Sequence, residues 1–160
     1  HLTSSADVNV LLIVLKALDH RGAFRGRIDF ALNQKLIGET MRVLIVESTN
    51  DLALLWSRYL ERQGVQVTVS TRAEQAIELI CDTPFDVIVL DLVLAEGSAL
   101  AVADFAQYRQ PETNVIFVTD TTFFSDGSIF ALTPNARALV RTQTPPEDLA
   151  AMVAHYGSAA

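Results

Sequence analysis

Asp91 closes the almost wholly apolar run Asp86-Val87-Ile88-Val89-Leu90-Asp91. Three other apolar runs also end in a residue that handles charge or hydrogen bonds. Met41-Arg42-Val43-Leu44-Ile45-Val46 leads into Glu47, Asn114-Val115-Ile116-Phe117-Val118 into Thr119, and Arg137-Ala138-Leu139-Val140 into Arg141. Two acids, a hydroxyl and a cation brought together make a site that handles an oxyanion. They act together only if the runs that carry them end side by side.

Short β-branched runs separated by helical patterns read as buried parallel strands. In sheets of that kind, ligand chemistry gathers at the carboxyl ends of the strands. From Met41 onward the chain alternates strand and helix five times, with strands predicted at about 42–46, 65–70, 86–90, 114–118 and 137–140. The first helix, about 50–63, carries Leu52, Leu54, Leu55, Tyr59 and Leu60 at helical spacing, with Gly64 as its stop. Thr71-Arg72-Ala73-Glu74 is a capping box for a second helix over about 72–82. Gly97-Ser98 precede an alanine-rich third helix, about 98–108. Thr144-Pro145-Pro146-Glu147 is a second capping box, with proline at the favoured first helical position, before a last helix ending near Tyr156. The fourth helical segment is the weakest: a glycine and several poor helix formers leave a helix expected only over about 126–132. The alternation favours a parallel sheet with helices on both faces, a three-layer α/β domain.

With these spacings and strand-end residues, positions 41 to about 157 resemble the receiver domain of bacterial two-component response regulators. The resemblance implies a flavodoxin-like receiver fold with strand order 2-1-3-4-5. It implies that Asp91 accepts a phosphoryl group from a histidine kinase or phosphotransfer protein. Glu47, Asp91 and the Val93 carbonyl would hold Mg²⁺, and Thr119 and Arg141 would contact the phosphoryl group.

The departures from the family pattern bear on function as much as the matches. Receivers carry two adjacent acids after the first strand; here the pair is Glu47-Ser48, and a serine hydroxyl is a poor substitute for a carboxylate on Mg²⁺, so metal binding is expected to be weak. Arg141 stands where the family has lysine, and residues 41–160 contain no lysine at all. Its planar fork keeps the charge and is expected to clamp the Asp91 carboxylate when no phosphate is bound. Thr142 follows where proline is usual, so the family's cis peptide is not expected. Asp120 follows Thr119 where a small residue is usual; it narrows access, brings negative charge of its own, and is expected to depend on Arg141 to make two neighbouring carboxylates tolerable. Ala138 takes the place of the switching aromatic of many receivers.

A net charge of −7 argues against nucleic-acid binding through a basic face. One cysteine and three scattered histidines offer neither an intrachain disulfide nor a zinc spacing, and Cys81 is expected to be a plain core thiol. Trp56 reads as core-edge packing, and Phe123, Phe124 and Phe130 as core rather than interface. The turn Glu47-Ser48-Thr49-Asn50 lacks the glycines of a nucleotide-binding loop, and Val93 stands where a haloacid-dehalogenase-type phosphatase has its second aspartate.

Residues 1–40 read as an extension and 158–160 as a tail. In the extension, Val8 to Leu18 is apolar but too short to span a bilayer, and the opening residues lack a signal-peptide pattern. An interaction helix, the tail of an upstream region and sequence preceding the true start all remain open. No membrane association is expected, and the resemblance implies a cytoplasmic protein.

Two functions fit. One is a stand-alone response regulator, phosphorylated on Asp91 and signalling to a downstream protein through the face made by the fourth helical segment, the fifth strand and the last helix, with a homodimer as a further partner state. The other is a pseudo-receiver that binds its partner constitutively without phosphate. Neither is a turnover enzyme.

Overall fold

The computed structural model describes residues 40–120, 130 and 133–158. The chain divides at Thr40 and Met41, and the unit described is the second. Its strands are β1 (Arg42–Val46), β2 (Gln66–Ser70), β3 (Val87–Asp91), β4 (Asn114–Thr119) and β5 (Ala136–Arg141), and its helices are α1 (Asn50–Arg62), α2 (Ala73–Asp82), α3 (Ala99–Arg109) and α4 (Pro146–Ser158). All strand pairs are parallel, in the order β2-β1-β3-β4-β5. The three-layer flavodoxin-like fold is as expected. Of the segment 126–132, only Phe130 is described; it is helical and exposed, against the core reading, while Phe123 and Phe124 lie outside the described residues.

Burial explains the composition of the strands. Val87, Ile88, Val89 and Leu90 are wholly inaccessible, as are the central residues of β1 and β4. A strand covered on both faces needs apolar side chains in both directions, hence runs rather than alternation. Leu44, Val46, Ile88, Leu90, Val115 and Phe117 point to one face, where they pack with Ala76 and Ile80 of α2 and Val102, Ala103 and Ala106 of α3. The intervening residues point the other way, toward the layer of α1 and α4. Small residues on α3 let that helix approach the sheet closely.

Three local expectations are corrected. The buried face of α1 is Ala53, Trp56, Ser57 and Leu60, while Leu54 and Leu55 are each 48% exposed. Trp56 is fully buried rather than at the core edge. Cys81 is exposed, because Ile80 takes the inward position and the next residue turns about 100° round the helix.

The helix ends differ as well. Neither capping box forms. The N-cap of α2 is Arg72, with no side-chain bond, and α4 begins one residue later than the box requires, with Pro146 first. Ser98 does cap α3, accepting from the Ala101 amide at 3.2 Å. Gly64 ends α1 at φ +85°, with its amide on Glu61 O and the Val65 amide on Leu60 O, the paired bonds of a Schellman motif.

Side-chain bonds fasten the amino ends of the strands. Asp86 Oδ2 accepts from the Arg42 amide at 2.8 Å. Gln110 Nε2 donates to Ile80 O (2.7 Å) and Thr83 O (2.6 Å), while its Oε1 accepts from the Phe85 amide (2.8 Å). Asn114 Nδ2 reaches Tyr156 O, and Arg137 Nε reaches Asn114 Oδ1, both at 2.8 Å. No described helix is long and apolar enough to cross a membrane.

Candidate functional site

The chain passes from β1 to β2 on one side and later to β3 on the other, so a topological switch point lies between β1 and β3. Glu47 and Asp91 leave the sheet there, at the carboxyl ends where such folds bind ligands. Across the sheet, Thr119 of β4 is in register with Arg141 of β5. The structure therefore brings Glu47, Asp91, Thr119 and Arg141 to one end of the sheet, as their places in the sequence implied.

Glu47 is 1% exposed. Its Oε2 accepts from the Thr49 amide at 3.3 Å, and its Oε1 meets no donor in the protein. Burial pushes its pKa up to about 8, and the neighbouring Asp91 carboxylate adds to the rise, as an acceptor for the protonated form and as a like charge. At neutral pH the metal-free site therefore keeps a proton on Glu47. Among the described residues no cluster of three acids, histidines or cysteines could hold a metal. The donor set is two carboxylates and main chain, which suits a Mg²⁺ ion that retains several waters and gives up its hold more readily than with a third acid. The donor-free, buried Oε1 of Glu47 is the atom that fits such a cation.

Asp91 is half-buried, and its Oδ1 accepts from the Val93 amide at 2.9 Å, which sets the course of the loop after β3. Val93 stands on that loop and is 60% exposed. Thr119 is buried, and its carbonyl accepts from the Thr142 amide at 3.0 Å. Arg141 is exposed and donates from Nη2 to the main-chain oxygen of Asp120 at 3.4 Å. Among the described residues the ion pair is Arg72 with Glu96, at 3.9 Å, so in this state the guanidinium lies on the Asp120 backbone rather than on either carboxylate. Asp120 itself is exposed, and Ala138 is half-buried in β5. The Arg141–Thr142 peptide is trans, as expected.

Sequence reasoning treated Ser48 only as a missing acid. In the structure its Oγ donates to Thr71 O at 3.2 Å and accepts from the Ala95 amide at 2.8 Å. The loop after β3 is further docked on the start of α2, where the Ala73 amide donates to Glu96 O at 3.2 Å and Gly97 turns at φ +88° against Ala73. Gly97 was the one sequence signal for that close approach.

Comparison with known proteins gives one family. The model of the response regulator receiver domain matches residues 43–154. The response regulator SaeR of Staphylococcus epidermidis is 28% identical over 107 residues, 67% of this chain. The chain spans 46% of the length of that relative. Among solved structures, a CheY-like receiver domain protein from Methanospirillum hungatei superposes with a TM-score of 0.68 at 22% identity, over 74% of this chain and 94% of that one. A response regulator protein from Burkholderia pseudomallei, solved with a phosphorylated aspartic acid, a calcium ion and citrate, superposes at 0.65 and 21% identity, over 74% of this chain and 69% of that one.

Proposed function

This chain belongs to the response regulator receiver family, and from that premise we propose that it takes a phosphoryl group on Asp91 from a histidine kinase or phosphotransfer protein and passes the signal on through protein contacts. The observation that carries the reading is the meeting of Asp91 with a buried Glu47, whose Oε1 has no donor, at the β1/β3 switch point. A carboxylate oxygen of Asp91 attacks the phosphorus while the bond to the donor breaks. Thr119 and Arg141 face the transferred oxygens from β4 and β5, Arg141 after leaving the Asp120 carbonyl. Glu47, Asp91 and the Val93 carbonyl would hold Mg²⁺, which when bound would supply charge neutralisation.

The chemistry is a single acceptance rather than turnover, so the chain acts as a cytoplasmic signalling module and not as an enzyme. Its output surface is the side of the domain built from β5 and α4, with a downstream protein or a second copy as the occupant.

A second reading is a pseudo-receiver that binds its partner without phosphate. It is favoured by Glu47 keeping a proton near neutral pH, by the missing acid at Ser48 and by the exposed carboxylate of Asp120. Incubation with acetyl phosphate and Mg²⁺ followed by intact-mass measurement separates the two. We expect an adduct of one phosphoryl group that Asp91→Asn abolishes; an unmodified wild type under saturating donor would leave the pseudo-receiver.

A further inference from the structure

We propose that Ser48 is a positioning residue, a hydroxyl clasp that fixes the backbone following Asp91. The inference rests on the reading of Asp91 as phosphoacceptor for its consequence, but not for its geometry. A hydroxyl has one proton to give and lone pairs to receive, and Ser48 uses both: Oγ–H to Thr71 O at 3.2 Å, and Ala95 N–H to Oγ at 2.8 Å. It thereby joins three loops at the carboxyl end of the sheet, those after β1, β2 and β3. The stretch between Asp91 and Ala95 is held at both ends, by Val93 N–H on Asp91 Oδ1 at 2.9 Å and by Ala95 N–H on Ser48 Oγ. That stretch carries the Val93 carbonyl, so its conformation decides whether the main chain presents an oxygen to a cation beside Asp91.

Serine is therefore more than a lost ligand at this position. An aspartate there has no proton for the Thr71 carbonyl at neutral pH and sets a charge against it. Putting an acid back would add a metal ligand while opening the clasp on the Thr71 side. Alanine removes both bonds, and threonine keeps the hydroxyl.

The test compares wild type, Ser48→Ala and Ser48→Thr in the full chain. Amide hydrogen exchange, read without metal or phosphoryl donor, follows the Ala95 amide. Loss of its acceptor should speed exchange there about tenfold in Ser48→Ala and leave Ser48→Thr near wild type. In the second arm, phosphorylation by acetyl phosphate at saturating Mg²⁺ should show a maximal rate about tenfold lower in Ser48→Ala, with half-saturation for acetyl phosphate little changed and the rate restored in Ser48→Thr. Unchanged Ala95 exchange in Ser48→Ala, or a threonine variant as impaired as alanine, overturns the proposal. A wild type that takes no phosphoryl group rejects the functional reading instead, and the exchange arm then decides the clasp alone.

Discussion

Glu47→Gln isolates the proton that the site stores. Glutamine keeps the shape of the neutral carboxyl and never ionises, so it imitates metal-free Glu47 at neutral pH. In the folded wild type the pKa is raised from 4.5 to about 8. The folded chain therefore holds a proton that the unfolded chain releases above about pH 4.5, and stability must fall as pH rises from there to about 8, then level off. At about 1.4 kcal/mol per unit, the ceiling on this loss is about 5 kcal/mol. Rotation of the side chain and entry of water lower it, and we expect about 2–4 kcal/mol. Urea unfolding in EDTA at about pH 4, 7 and 8.5 should show Glu47→Gln about as stable as wild type at the lowest pH, which lies below the unfolded pKa, and more stable by that margin at the highest. If Mg²⁺ is held by Glu47 as proposed, it displaces the same proton. Wild-type affinity should rise up to tenfold per pH unit below about pH 8, with close to one proton released in calorimetry, and the variant should show neither. Wild-type and variant stabilities that run parallel across this pH range would refute the reasoning, because Glu47 would then titrate as an ordinary exposed acid.

Gly97→Ala should cost about 2–4 kcal/mol in urea unfolding, since its Cβ would lie 2.4 Å from Ala73 Cβ at a backbone φ of +88°. Gly64→Ala, with open space around it at φ +85°, should cost only about 1–2 kcal/mol, and equal losses would mean that the Gly97 contact relaxes freely. Gln110→Ala strands the Ile80 and Thr83 carbonyls and the Phe85 amide, and should lower stability by about 2–4 kcal/mol, measured the same way; Gln110→Glu should not recover it, because a carboxylate cannot donate to the two carbonyls. Arg141 touches the main chain of Asp120 and not its side chain. In a double-mutant cycle, Arg141→Ala and Asp120→Ala should therefore add to within about 0.5 kcal/mol without phosphate, and a larger coupling would show that their charges meet in solution.

The fold was readable because a parallel sheet buried on both faces leaves uninterrupted β-branched runs, and the place of the candidate site was readable because those runs end in Glu47, Asp91, Thr119 and Arg141. What escaped were choices among near-equals. α1 is leucine-rich and offers more than one apolar stripe; the sheet selected Ala53, Trp56 and Leu60, and Ser57 could be buried because its hydroxyl donates to Glu61 Oε1 within the helix at 2.7 Å. Thr71 looked like a cap, but its carbonyl serves Ser48 from a distant loop. Ser70, not Thr71, supplies the local hydroxyl, donating to Arg72 O at 2.9 Å. Such bonds join residues 23 or 47 positions apart, and no periodicity within one element announces them. Cys81 shows the same limit at smaller scale, since one step along a helix separates core from solvent.

The fastening of the strands' amino ends has a consequence for how the chain tolerates change over generations. Asp86, Gln110, Asn114 and Arg137 bind main chain and one another at the end of the sheet away from Asp91. Mutations that retune the chemistry at Glu47, Ser48, Asp120 or Arg141 leave that set of bonds intact, and the domain keeps its architecture while its site is rewritten. Substitutions at the carboxyl end can therefore change what the site binds without removing any bond of that set.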